Sequence, residues 1–229
     1  MSDSDLLKEL DSERRAERLK SLIRRHSIAA AVMLIVLLAI FGGWRFWKWQ
    51  QYLATEKASI AYLQTMQMAA PQAGGDISSD VRQKAIQQYK EISEHSPESI
   101  RTLARLQEAG LAVDKGDIKT ASQIWESIQS DSRSDPIYRS LASLLWVQSH
   151  LDQGDPAQLR SRLAVLNAEN NPWHALVQEA EALLDIRVGK NIEARKIFAQ
   201  LVQDNKAPSG VKRRANFMLQ AIAENKADQ

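Results

Sequence analysis

Residues 28 to 41 read IAAAVMLIVLLAIF, fourteen consecutive residues without a charge or a strongly polar group. From shortly beyond this run to residue 229 the chain is polar. A single apolar segment near the N-terminus followed by a long polar remainder is the pattern of a single-span anchored protein. From Ile28 to Trp44 there are 17 residues, at the lower limit of the roughly 17 to 25 that a spanning helix needs. At about 1.5 Å per residue they reach roughly 26 Å, against a hydrocarbon core of about 30 Å. The flank makes up the difference. Arg45 and Lys48 can run their stems through hydrocarbon with their charges among headgroups. Trp44, Phe46, Trp47, Trp49 and Tyr52 form a one-sided aromatic belt of the kind the bilayer interface favours. Ile28, Phe41, Trp44, Arg45, Trp47 and Trp49 are therefore the anchor and interface residues.

Two other readings of the run exist. A buried core helix has the same apolar character but lacks such an aromatic flank. A cleaved signal segment wants a small-x-small site after the run, whereas Gly42 and Gly43 are followed by Trp, Arg and Phe. A retained anchor fits better than either.

Charge sets the orientation. Arg14, Arg15, Arg18, Lys20, Arg24 and Arg25 precede the run, and only Arg45, Lys48 and Lys57 follow it closely. The side richer in Lys and Arg stays in the cytoplasm. The expected order is a cytoplasmic tail over 1–27, a transmembrane helix over 28–44, a juxtamembrane helix and linker over 45–75, and an external domain over 76–229. In a bacterium that domain is periplasmic. The chain has no cysteine, which an oxidising compartment permits and does not require. A net charge of +2 is too small to point to nucleic acid.

No Pro or Gly interrupts the stretch from Trp44 to Pro71, so helix is expected to continue to about residue 68. PQAGGDISSD, residues 71 to 80, then breaks it. Beyond the break no sustained period-two alternation occurs, and helical patterns follow one another, separated by short Gly, Asp, Asn and Pro signals. These patterns repeat. Gly116 is followed by Ala121, Trp125 and Ile128, and Gly189 by Ala194, Phe198 and Leu201 at the same spacings. Gly154 repeats the frame with Leu159, Leu163 and Leu166, and Ala85, Tyr89 and Ile92 give a copy without the glycine. Tyr89, Trp125, Leu163 and Phe198 lie 36, 38 and 35 residues apart, close to the helix-turn-helix period of about 34 in tetratricopeptide repeats. Each second helix has a first helix before it: Ile100 to Asp114, Ile137 to Leu151 and Ala175 to Val188. Leu141, Leu144 and Leu145, and Leu176, Ala180 and Leu183, form the apolar stripes of two of these. Asp135-Pro136 and Asn171-Pro172 sit where helices should start. Residues 211 to 223 would cover the open end of the stack. The fold expected is all-α, a helical-hairpin solenoid behind one transmembrane helix.

Within this frame Ala121, Trp125, Leu163, Ala194 and Phe198 are the repeat-packing residues. Trp146 lies about 140° around its helix from Leu141, at about 100° per residue. It either packs on a second neighbouring helix or, with Leu151, lines a concave groove for an apolar peptide segment. Trp173 is either a staple at a helix start or an exposed contact.

The juxtamembrane segment GWRFWKW, at 43 to 49, resembles that of the YfgM-like ancillary translocon proteins. So do LARLQEAGLAVDKGD at 103 to 117 and WHALVQEAEALLDIRVGKNIEAR at 173 to 195. The resemblance extends over roughly residues 28 to 222. It implies an inner-membrane protein with its tail inside and its repeat domain in the periplasm, associated with the SecYEG translocon and with periplasmic chaperones. The longer basic tail, the Leu159 and Leu163 pair and the longer loops depart from the family pattern.

Catalysis has little to rest on. His26, His95, His150 and His174 are scattered, without the spacing of a metal site, and no cysteine ligand exists. No nucleophile elbow or phosphate-cradling glycine loop occurs. Glu181 and Asp185, four apart on one helix face, read as ordinary surface acids. No cofactor is expected. Two function classes remain: a membrane-tethered module binding translocon subunits, chaperones or exported chains, and a structural scaffold in another envelope complex such as division or wall synthesis.

Overall fold

The computed structural model describes the backbone of residues 3–71 and 77–227, and the side chains of residues 32–71 and 77–223. The side chains of Ile28 and of the 1–27 tail lie outside the described residues. Among the described residues there are nine α-helices and no strand. The chain divides into two compact units, Met1–Ala54 and Thr55–Gln229.

The first unit holds most of helix α1, Asp3–Met68. Its described apolar side chains are bare: Leu34, Leu38, Phe41, Trp44, Trp47 and Trp49 are all at least half exposed. An 18-residue window within Val32–Met68 has a mean hydropathy of 1.5, with none of it buried. That length and composition suffice to cross a membrane, and a signal segment near an N-terminus has the same character. Aromatic pairs run along the helix. Phe41 and Trp44, and Phe46 and Trp49, have ring centroids 6.2 Å apart. The Lys48 ammonium lies 4.5 Å above the Trp44 ring.

The second unit contains the last turns of α1 and helices α2 (Ser79–His95), α3 (Glu98–Asp114), α4 (Ile118–Ser130), α5 (Pro136–Ser149), α6 (Pro156–Leu166), α7 (His174–Arg187), α8 (Asn191–Gln203) and α9 (Ser209–Ala227). From α2 onward each helix packs on the next, and α3 also meets α5, α5 meets α7, and α7 meets α9. Contact with the next element but one puts α3, α5, α7 and α9 in one layer and the even-numbered helices in another. That is the arrangement of a helical-hairpin solenoid.

Local chemistry explains the boundaries. α3 and α7 end in matching Schellman turns. The Gly116 N–H reaches the Val113 carbonyl at 2.8 Å and the Asp117 N–H the Ala112 carbonyl at 2.8 Å. Gly189 and Lys190 repeat this on Ile186 and Asp185, at 3.0 and 2.7 Å. Both glycines have positive φ, 85° and 79°, where a β-carbon is strained. Gly154 serves a different need. A Cβ there would lie 2.8 Å from the His150 carbonyl oxygen, so the position is kept bare by close backbone approach.

Asp117, Asp135 and Asp155 each accept backbone N–H bonds at the starts of α4, α5 and α6, and Pro136 and Pro156 occupy the first turn. The Asn171-Pro172 start moves by two residues, because the Asn171 side chain accepts from the Trp173 N–H and donates to the Leu166 carbonyl. That local turn occupies 171–173, and α7 begins at His174.

In the second layer, the same three positions of each helix are buried. They are Ala85, Tyr89 and Ile92 in α2, Ala121, Trp125 and Ile128 in α4, Leu159, Leu163 and Leu166 in α6, and Ala194, Phe198 and Leu201 in α8. A large residue four beyond a small one fills the gap between successive hairpins, and where α6 replaces the small residue with Leu159 the helix still buries it fully. Polar links join successive repeats over one repeat length. Ser134 donates to Glu98 at 3.2 Å across 36 residues, and the Trp173 indole N–H to the Ile137 carbonyl at 2.9 Å across 36.

Candidate interaction groove

The first-layer helices carry apolar residues on two faces, and the structure assigns them differently from the stripe pattern. Ala142, Trp146 and Val147 of α5 are buried among hairpins. Leu141 and Leu145 are only partly buried and, with Leu144, Gln148 and Leu151, form one wall of a cavity of about 520 Å³. Leu176, Glu179, Ala180 and Leu183 of α7 form its floor, and Arg214, Phe217 and Met218 of α9 its far wall. Phe217 is 67% exposed. A volume of this size falls within the roughly 300–1,000 Å³ of ordinary binding sites.

Leu151 lines this cavity and Trp146 does not. Trp146 is 6% exposed. Its indole stacks on the His150 ring, with centroids 4.0 Å apart and planes at 15°. The Arg162 guanidinium lies 3.7 Å from its ring centroid. This stack ties α5 to α6 and leaves no face for a peptide. Trp173 is spent on the bond to Ile137 described above. The anchor and interface residues of α1 lie in the other unit.

Charges at the cavity are few and specific. Glu179 is 6% exposed. Both its oxygens accept from Arg214, Oε1 from Nε and Oε2 from Nη2, each at 2.6 Å. This bidentate pair holds the Arg214 guanidinium above its ordinary pKa, chiefly through the hydrogen bonds from Arg214 to Glu179. The Arg214 side chain is 55% exposed. The carboxylate therefore points inward and the cation outward. Arg187 at the end of α7 donates to the carbonyl of Leu151 at 2.7 Å, placing a second guanidinium beside a lining residue.

Two further polar features escaped the sequence reading. Asp185 is not a surface acid: it is 4% exposed and accepts from Arg160 at 2.8 Å, linking α7 to α6. Glu181, one turn earlier, sits near Asn167 at 3.4 Å. Thr102 and Ser134, both 2% exposed, lie 3.0 Å apart, and each donates to Glu98. The hydroxyls of Thr102 and Ser134 gave no periodic signal, since only their burial distinguishes them from surface ones.

Among the described residues no group of three or more His, Cys, Asp or Glu is placed to hold a metal ion.

Residues 20–224 match the tetratricopeptide repeat-like domain family. No curated protein and no solved structure matches the chain. The match spans most of the sequence, and the chain belongs to that family. Domains of this kind mediate protein–protein interaction, which makes protein partners the expected ligands.

Proposed function

We propose that this tetratricopeptide repeat-like protein is a membrane-anchored interaction module whose leucine-lined cavity holds partly apolar segments of partner proteins. The cavity between α5, α7 and α9 carries the proposal. It is apolar and open to solvent at Phe217, and it is built from the layer that faces away from the even-numbered helices. Solenoids of paired helices bind extended partners on such a surface. Binding should be modest, because an unfolded partner loses entropy on ordering.

The bare apolar stretch of α1 supports the anchor, with the 1–27 tail in the cytoplasm and residues 76–229 in the periplasm by the Lys and Arg asymmetry. The resemblance of residues 43–49, 103–117 and 173–195 to ancillary translocon proteins favours SecYEG subunits, periplasmic chaperones or exported chains as partners.

The test is a crosslinking pull-down from intact membranes, combined with a reporter fused to Gln229 that is active only outside the cytoplasm. Recovery of translocon subunits together with reporter activity supports the reading. Recovery of division or wall-synthesis proteins assigns the module to another envelope complex. Activity of a cytoplasmic reporter at Gln229 overturns the topology.

A further inference from the structure

We propose that the face of α1 bearing Ile60 and Leu63 pairs with the same face of a second copy of this chain, side by side and parallel in one membrane. This rests on the reading of α1 as a membrane anchor and is independent of the α5–α7–α9 cavity.

The last turns of α1 act as the first helix of the repeat stack. Ala58 and Thr65 are buried. The Tyr62 and Tyr89 rings lie 5.6 Å apart, and the Thr65 hydroxyl donates to Gln88 Oε1 at 3.2 Å. Ala61, Tyr62 and Met68 pack on the cluster of Ala85, Tyr89, Ile92 and Ala104. At about 100° per residue, the positions opposite Ala58 and Thr65 are Glu56, Ile60, Leu63 and Gln67. All four are exposed, Ile60 by 50% and Leu63 by 48%.

The last helix of the stack is finished differently. In α9, Val211 and Ala215 are buried. The positions opposite them are Ser209, Arg213, Asn216 and Gln220, all polar and exposed. A terminal helix with a polar outer face ends a solenoid in water. The corresponding face of α1 has two apolar residues at its centre, so this end of the stack is not finished for water. It lies beyond the aromatic belt, which ends at Tyr52, so lipid is not its cover.

A second copy fits this face. Spacings of four, three and four are those of the a and d positions of a parallel two-stranded coiled coil. Copies anchored with the same orientation present α1 to each other in parallel, related by a two-fold axis along the membrane normal. Such an interface needs a patch that complements itself. Here Ile60 and Leu63 meet their own counterparts, and the Gln67 amide bonds to its counterpart. Glu56, at a d-type position, meets Lys57 of the second copy at the adjoining e-type position. Two apolar layers fall short of the roughly 1,200 Å² that stable soluble interfaces bury. A shared bilayer raises the effective concentration enough for a short seam to hold, so pairing belongs to the anchored chain.

The experiment uses the full chain in its membrane. The chain has no cysteine, so single introduced cysteines report on pairing between copies. Under mild oxidation Ile60→Cys and Leu63→Cys are each expected to give at least about fivefold more disulfide-linked dimer than Gln123→Cys or Arg213→Cys, because only seam positions bring Cα atoms within about 7 Å. Lys57→Glu should reduce the Leu63→Cys dimer about threefold, and adding Glu56→Lys should restore it. These side chains face away from the fold, so the unfolding midpoint of each variant should match that of the parent chain.

Equal dimer from all four cysteine positions, or none from any in chains that stay in the membrane, overturns the pairing. So does a photoreactive residue at position 60 that labels a different polypeptide and no second copy, which assigns the face to that partner. Failure of the charge exchange to restore the dimer overturns the Glu56–Lys57 contact. Release of the chain by an alkaline wash overturns the anchor reading, and the parallel pairing with it.

Discussion

Arg214 of α9 and Glu179 of α7 meet in two parallel hydrogen bonds of 2.6 Å, and the residues stand 35 apart, one repeat length. The pair fastens the last helix to the hairpin before it at the wall of the apolar cavity. Removing one partner from a fully buried pair costs about 3–5 kcal/mol. Arg214 is half exposed, so screening reduces this, and Arg214→Met is expected to cost about 1–3 kcal/mol in denaturant unfolding. Replacing both residues by Leu and Met should recover most of that loss. Additive losses from the two substitutions would show that the pair is not coupled.

Phe198 is fully buried in α8, among Ala182, Leu201, Val211 and Ala215. Phe198→Ala opens a cavity between α7, α8 and α9. The expected destabilisation is about 3–5 kcal/mol. An unchanged unfolding midpoint would mean that the last hairpin does not contribute to the cooperative unit.

The glycines separate two mechanisms. Gly116→Ala and Gly189→Ala meet no atom within 4 Å, yet both require positive φ, at a cost of roughly 1–2 kcal/mol each. Gly110 lies inside α3 with equally open surroundings and no such backbone demand. Gly110→Ala should therefore stabilise by about 0.5–1 kcal/mol. Thermal melts of the three variants check both signs.

Tyr89 packs against Tyr62 with ring centroids 5.6 Å apart. Burial, with a smaller push from Tyr62, raises its hydroxyl to about 12. An unfolded tyrosine titrates near 10, so the folded state holds the proton more tightly. The resulting contribution to stability is complete below about pH 10 and is lost as pH rises from there through about 12. Tyr89→Phe should flatten the alkaline fall in stability. An identical alkaline profile in that variant would assign the fall to other groups.

Most of the fold was legible because it rests on periodic signals. A small residue followed four later by a large one and seven later by an aliphatic one recurs at repeat length, and all twelve of these residues are buried. Asp135-Pro136 starts α5 as its chemistry dictates. Asn171-Pro172 does not start α7, because its side-chain hydrogen bonds close a separate turn first.

The groove was only half legible. A helix that packs on two sides shows two apolar faces, and periodicity does not say which face is covered. Leu141 and Leu145 look like core and line the cavity, whereas Trp146 fits either face by its position and takes the packed one, enclosed by His150 and Arg162. The wall from α9 was hidden for another reason. Arg214 and Phe217 acquire their role from a partner helix 35 residues upstream, which no local pattern records.

Photocrosslinking during export of a secreted protein tests the central claim most directly. A photoreactive aromatic residue replaces Phe217, which lines the cavity and is 67% exposed, or Gln123, which is exposed on α4 in the other layer. Labelling of partner chains from position 217 and little from 123 is the predicted result. Equal labelling from both positions, or none from either, would contradict a binding groove and leave the repeat domain as a passive scaffold.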